Sequence, residues 1–307
     1  MGNRILPTLW LGVSGLFLVA CSTEEPVSTS ASPSVAVAES GISITALSTK
    51  PWLITGGDVL IEIALIEDLN MAQLSVRLDD RDVSNEFRQV SSQRVQALLH
   101  DLPLGSSTLT AGINGTSPGS SLTLTNYSIS GPIISGPHEQ PFYCQTEQFE
   151  TVAGDFLGEP VGANCSAITR VDYVYWSDLD EKFKPLPQGL ADDMPEDIGM
   201  IDSAIGIIIP FVVRVETGTV NRAVYEIAML HDPAAGQLDP WNKSSHWNGK
   251  LVYTHGGGCR SGWHLQGIRT GGVMRRGLFE QGYAIASSTL NVFGQNCFGR
   301  YLPSVNH

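Results

Sequence analysis

Ten consecutive residues, Lys250 to Cys259, read KLVYTHGGGC. A short β-prone apolar run stops at His255 and gives way to Gly256, Gly257 and Gly258 before Cys259. Only glycine lets a backbone turn into positive φ and bring its N–H groups against a ligand with no Cβ in the way. Backbone donors converging on one point are the chemistry of an oxyanion hole, which stabilises the charge that develops on an acyl oxygen during acyl transfer. Three glycines also make turns that bind nothing, so the surrounding elements decide between the two. Acyl transfer needs a nucleophile and a base as well. No Gly-x-Ser-x-Gly occurs in the 307 residues, and of the seven histidines all but His307 lie in or before this region. Ser261, beside Arg260 and near His264, is a candidate nucleophile within the loop itself. Neighbouring loop side chains of this kind also hydrogen-bond with no catalytic role.

The elements that must position the loop can be read on both sides of it. Val273 to Glu280 has helical spacing at Val273, Arg276/Gly277 and Glu280, with Gly282 just past its expected end. Tyr283 to Asn291 is an apolar strand, so the glycine loop lies between a strand and a helix that leads to a second strand, a βαβ arrangement. Upstream, Ile207 to Glu216 and Arg222 to Leu230 read as two long strands, with Thr217 to Asn221 as the hairpin. Arg170 to Trp176 is strand-like, and the acidic, proline-containing stretch from Asp178 to Asp197 reads as a surface excursion. The Pro/Gly-rich connection Gly131 to Pro141 carries His138 and Glu139, which fit either a site or a solvated loop. Between Ile42 and Ser130, alternating segments at 59–64, 73–78, 95–99, 107–111 and 121–125 are separated by turn formers such as Gly56-Gly57 and Pro118-Gly119. They predict a small antiparallel sandwich of immunoglobulin-like size. It has no cluster of aromatic residues suited to gripping a sugar.

At 42% hydrophobic and 16% charged residues the chain has the composition of a globular protein. Its net charge of −13 lacks the Lys/Arg surface that phosphate neutralisation requires, which argues against nucleic acid as a partner. The N-terminus carries Arg4, then an apolar stretch from Leu9 to Ala20 that is too short to span a bilayer comfortably. Leu18-Val-Ala-Cys21 is similar to the lipobox of bacterial lipoproteins, and that resemblance implies cleavage before Cys21 and acylation of its thiol. Ser22 to Ser40, rich in Ser, Thr, Pro and Glu, reads as a tether. Four other cysteines remain, Cys144, Cys165, Cys259 and Cys297. An even number in an exported chain favours disulfides, and no Cys/His spacing suggests a zinc site. Three pairings are possible. Sequence proximity favours Cys144 with Cys165 and Cys259 with Cys297.

Longer segments carry a family resemblance. SGPHEQPFYC (135–144), TRVDY (169–173), RVETGTVNR (214–222), AMLHDP (228–233), WNGKLVY (247–253) and ASSTLNV (286–292) resemble exported bacterial proteins of unknown function related distantly to tannase and feruloyl esterase. The resemblance covers roughly residues 43 to 297. It implies an immunoglobulin-like β-sandwich followed by the first half of an α/β-hydrolase domain with an incomplete mixed sheet, and a glycine loop of the type that follows the third strand in lipase- and esterase-like enzymes. In that strand order the strands before Cys259 and Cys297 are parallel neighbours, which favours their bridge. The expected organisation is a lipoprotein signal at 1–20, a tether at 21–41, a sandwich at 42–131, a disulfide-containing connection at 132–206 and a partial hydrolase domain at 207–307. The sheet so assigned ends before a nucleophile elbow, and the strand Tyr283 to Asn291 would form its exposed edge. A C-terminally truncated member is therefore expected; divergence of the reading frame near Cys297 is the other explanation.

Three functional readings follow. The first is an envelope-anchored esterase-like protein that acts on small-molecule esters when complete, inactive as this chain stands, with no cofactor or metal and membrane contact through the lipid alone. The second is a surface lipoprotein that binds or anchors. The third is a hydrolase whose nucleophile is Ser261.

Overall fold

A computed structural model describes residues 41–66, 71–113, 119–134, 137–138, 140–186, 194–235, 238–256 and 265–291. The first part folds as two facing sheets. One has the order β1 (Ile42–Ala46), β3 (Val59–Leu65), β7 (Arg94–Leu99), β6 (Arg88–Ser91). The other has the order β2 (Ile54–Thr55), β9 (Ser120–Tyr127), β8 (Gly105–Ile113), β4 (Leu74–Leu78), β5 (Arg81–Asp82). Period-2 patterning explains the layering: along β3 the side chains of Val59, Ile61, Ile63 and Leu65 are buried and the intervening ones are partly exposed. Val76, Val95, Leu99, Leu109 and Leu124 from the other strands complete one core. Buried Asn126 ties its ends together, donating through Nδ2 to Leu102 O at 2.7 Å and accepting Gly57 N–H at 3.2 Å on Oδ1.

The second part is a six-stranded sheet of order β11 (Lys182–Pro185), β10 (Arg170–Ser177), β14 (Val212–Val220), β15 (Ala223–His231), β17 (Ala284–Ser288), β16 (Leu251–Thr254). The β16–β17 pair is parallel and the other pairs are antiparallel. β12 (Met200–Asp202) and β13 (Ile208–Pro210) form a separate ribbon. The β14–β15 pairing runs to Val220 and Ala223, so the turn is the pair Asn221-Arg222, both at positive φ (48° and 65°). That is the two-residue geometry whose twist suits a hairpin. The expected loop from Thr217 to Asn221 is instead strand up to Val220. Gly218 is needed within it, because a Cβ there would lie 2.8 Å from both Thr169 Oγ1 and Tyr225 Oη.

The expected class, an immunoglobulin-like sandwich followed by half of an α/β-hydrolase domain, is corrected by this architecture. The regular structure of the described residues is almost entirely β-sheet, and their one α-helix, α1 (Arg276–Phe279), is a single turn. The helix predicted over Val273 to Glu280 shrinks for local reasons. Arg275 at its N-cap makes no side-chain capping bond, Gly277 lies inside it, and Gly272 just before it is held at φ +84°. The strand expected at the sheet edge is also relocated. β17 pairs with β15 on one side and β16 on the other, so β16 is the edge. Among the described residues no helix is long and apolar enough to cross a membrane.

The excursion after β10 contributes β11, an edge strand antiparallel to β10 and fastened by Asp197. Lys184 Nζ donates to Asp197 Oδ2 at 2.8 Å, the Ser177 hydroxyl donates to the same oxygen, and Tyr175 Oη donates to Oδ1 at 3.1 Å. The Lys184 ammonium and then the Ser177 hydroxyl hold the carboxyl down at about 2, below its ordinary 3.8. A carboxylate with a depressed folded pKa stabilises above its unfolded value and loses that contribution as pH falls. The stability difference between wild type and Asp197→Asn is expected to be constant above about pH 4 and to shrink as pH falls from there to about 2. Urea unfolding of both proteins between pH 2 and 6 measures it; a difference independent of pH would show that the carboxylate's charge contributes nothing.

Candidate functional site

β16 delivers Thr254, His255 and Gly256 at its C-terminal end, and the chain re-enters at Leu265. Gly257, Gly258, Cys259, Ser261 and His264 lie outside the described residues, as do Cys21 and Cys297. Both ends of the loop are fixed by short-range polar contacts. At the near end the Thr254 hydroxyl donates to Gly272 O at 2.9 Å. Ser287 Oγ donates to Thr254 O at 2.8 Å and accepts Gly271 N–H at 2.8 Å, so one hydroxyl joins β16, β17 and the returning segment. Gly271 is required by this approach: a Cβ would lie 2.9 Å from Thr254 O and 3.0 Å from the His255 carbonyl carbon. His255 itself is exposed, its ring 4.6 Å from that of Tyr253 two residues earlier on the same strand face.

The far end is held by Gln266, which is buried. Its Oε1 accepts Gln145 N–H at 2.8 Å and its Nε2 donates to Cys165 O at 2.7 Å, while Gln145 Oε1 accepts Gly267 N–H at 3.0 Å. Leu265 forms a parallel bridge with Tyr143. The segment supplying these partners is cross-linked by the Cys144–Cys165 disulfide, with Cα atoms 5.1 Å apart. The return of the glycine loop is thus attached to a disulfide-closed element more than a hundred residues earlier in sequence.

Glu226 on β15 is the least expected residue here. It pairs in register with Ser287 on β17 and is buried, and the Thr270 hydroxyl donates to its Oε2. Burial pushes its carboxyl upward, with the Thr270 hydrogen bond opposing part of that. The sequence did contain a signal. On β15 the inward positions are Val224, Glu226, Ala228 and Leu230, and a carboxylate in an apolar period-2 row calls for an explanation.

Other candidates do not join this site. His138 Nε2 lies 2.8 Å from Asn221 Oδ1 and belongs to the β14–β15 hairpin turn; Glu139 is outside the described residues. The His231 ring lies 4.9 Å from that of Tyr173 at a tilt of 48°, and its burial lowers its proton affinity. His246 is buried, with Nε2 3.9 Å from Asp232 Oδ2. Among the described residues no three His, Cys, Asp or Glu side chains are grouped as a metal site.

The sequence His-Gly-Gly-Gly follows β16, the described residues on either side of the loop are fastened, and one family model matches residues 44–299. The chain belongs to a tannase-like family of unknown function. No curated protein matches the sequence. Membership in the tannase-like family fits the resemblance carried by the residue 135–292 segments. Because the family's function is unknown, the site chemistry has to be argued from the residues themselves.

Proposed function

We propose that this member of the tannase-like family acts in carboxylic ester hydrolysis at the bacterial cell envelope, with His255, Gly256, Gly257 and Gly258 contributing the oxyanion loop. The observation that supports this reading most is the clamping of the loop's two ends, by Ser287, Thr254 and Gly271 on one side and by Gln266 on the other. Preorganised donors stabilise a developing charge without having to reorganise during the reaction. Donors alone have no covalent step to stabilise, and this sequence has no Gly-x-Ser-x-Gly nucleophile. The chain by itself is therefore expected to turn over no p-nitrophenyl acetate.

The test expresses the 307-residue chain and, where the gene continues in frame beyond codon 307, the longer product as well. Turnover in the longer product, reduced about 10²- to 10³-fold in kcat by Gly257→Pro, which deletes one backbone donor, supports the reading. Inactivity of both products favours a binding lipoprotein. Activity of the 307-residue chain that Ser261→Ala abolishes moves the nucleophile into the loop and overturns the proposed division of roles.

The envelope location rests on the lipobox before Cys21. Mass spectrometry of the membrane fraction is expected to find a diacylglyceryl group on Cys21 as the mature N-terminus. A mature protein cleaved elsewhere removes the anchor from the reading.

A further inference from the structure

An open cleft of about 460 Å³ lies beside the clamped end of β16, between residues 150–152 and the returning segment 268–275. Small-molecule sites typically measure about 300–1,000 Å³, so this one suits a ligand of monosaccharide size. Its lining carries Arg269 and Arg275 beside Glu150 and Glu226, in a chain of net charge −13. Arg269 and Arg275 both line it, both are exposed, and neither makes an ion pair among the described residues. Arg275 Nη2 donates to Gly271 O at 3.0 Å, which holds that guanidinium beside the clamp. Glu226 and Thr270 line the same cleft and are already hydrogen-bonded to each other. Burial pushes the Glu226 carboxyl upward, and the Thr270 hydrogen bond opposes part of that.

We propose that this cleft binds a small hydroxylated monocarboxylate of hexuronic-acid size, its carboxylate on Arg269 and Arg275 and a hydroxyl on Glu226 and Thr270. Guanidinium groups pair with carboxylates through two parallel N–H···O bonds, which gives orientation as well as attraction. Exposed Glu150 on the same rim repels ligands that carry several negative charges, so inorganic phosphate is disfavoured. Binding requires no hydrolytic step, and the proposal stands or falls separately from the ester reading.

Isothermal titration at pH 7 with D-glucuronate, D-glucose and inorganic phosphate tests it. Glucuronate is expected to bind saturably, and glucose and phosphate about tenfold or more weakly, because only glucuronate satisfies both the guanidinium pair and the hydroxyl partners. Arg269→Ala/Arg275→Ala changes two exposed side chains and is expected to weaken glucuronate about tenfold or more, as lost charge-assisted hydrogen bonds do. The proposal is overturned by no glucuronate binding up to about 10 mM, by equal binding of glucose or phosphate, or by an unaltered double-arginine variant.

Discussion

Phe211→Ala is expected to destabilise the protein by about 3–5 kcal/mol, the range for deleting a buried aromatic ring. Phe211 is fully buried where the β12–β13 ribbon meets the large sheet, and it is packed on several sides by rings. Its centroid is 5.3 Å from Phe183 and 6.3 Å from Phe279, both edge-on, and 6.2 Å from Trp176 in a stacked arrangement. These rings come from three distant parts of the chain, so the cavity cannot be closed by one local shift. The backbone on either side is fixed as well: Phe211 N donates to Gly199 O at 2.8 Å and Phe211 O accepts Trp176 N–H at 2.9 Å. Phe211→Leu, which keeps much of the volume, should cost clearly less. Urea unfolding with matched m-values measures both. A cost below about 1 kcal/mol for Phe211→Ala would mean that the ring cluster is not the keystone of this core.

That cluster also shows what the sequence could and could not reveal. The strands were legible wherever period-2 alternation was strong, as at Val59 to Leu65 and Ala223 to His231. Where a residue's role depends on a partner far away in sequence, pattern alone carried no information. Pro210 splits the run from Ile207 to Glu216, so β13 pairs with β12 and only Val212 onward joins the large sheet. The helix before Tyr283 looked longer than one turn because helical spacing takes no account of Gly272 and Gly277, nor of the backbone contact that Gly271 must make. The position of β17 between β15 and β16 follows from pairing, which periodicity does not encode, and so the edge was assigned to the wrong strand. At the candidate site, His255 and Gly256 stand out in the glycine run, whereas Glu226, Ser287 and Gln266 act through neighbours contributed by other elements.

Cys144→Ser/Cys165→Ser is expected to destabilise the protein by about 3 kcal/mol, because the cross-link closes a 21-residue separation and removes that much loop entropy from the unfolded chain. The cost should exceed a purely entropic one in one respect. The bridged segment presents Gln145 N–H and Cys165 O to Gln266, with Cys165 and Gln266 buried and Gln145 partly so. Losing the cross-link frees both ends of that pairing, and buried amides left without partners carry a desolvation cost. A second variant separates the two contributions: Gln266→Ala keeps the disulfide and deletes only the pairing. If Gln266 transmits the disulfide's constraint to the glycine loop, the two changes affect the same amides and their costs should combine less than additively. Hydrogen exchange then provides the local readout, with faster exchange at Gly271 N–H, whose acceptor is Ser287 Oγ, in both variants. Strict additivity, with exchange at Gly271 unchanged in the cysteine variant, would mean that the disulfide stabilises its own segment and leaves the loop to the β16–β17 clamp alone.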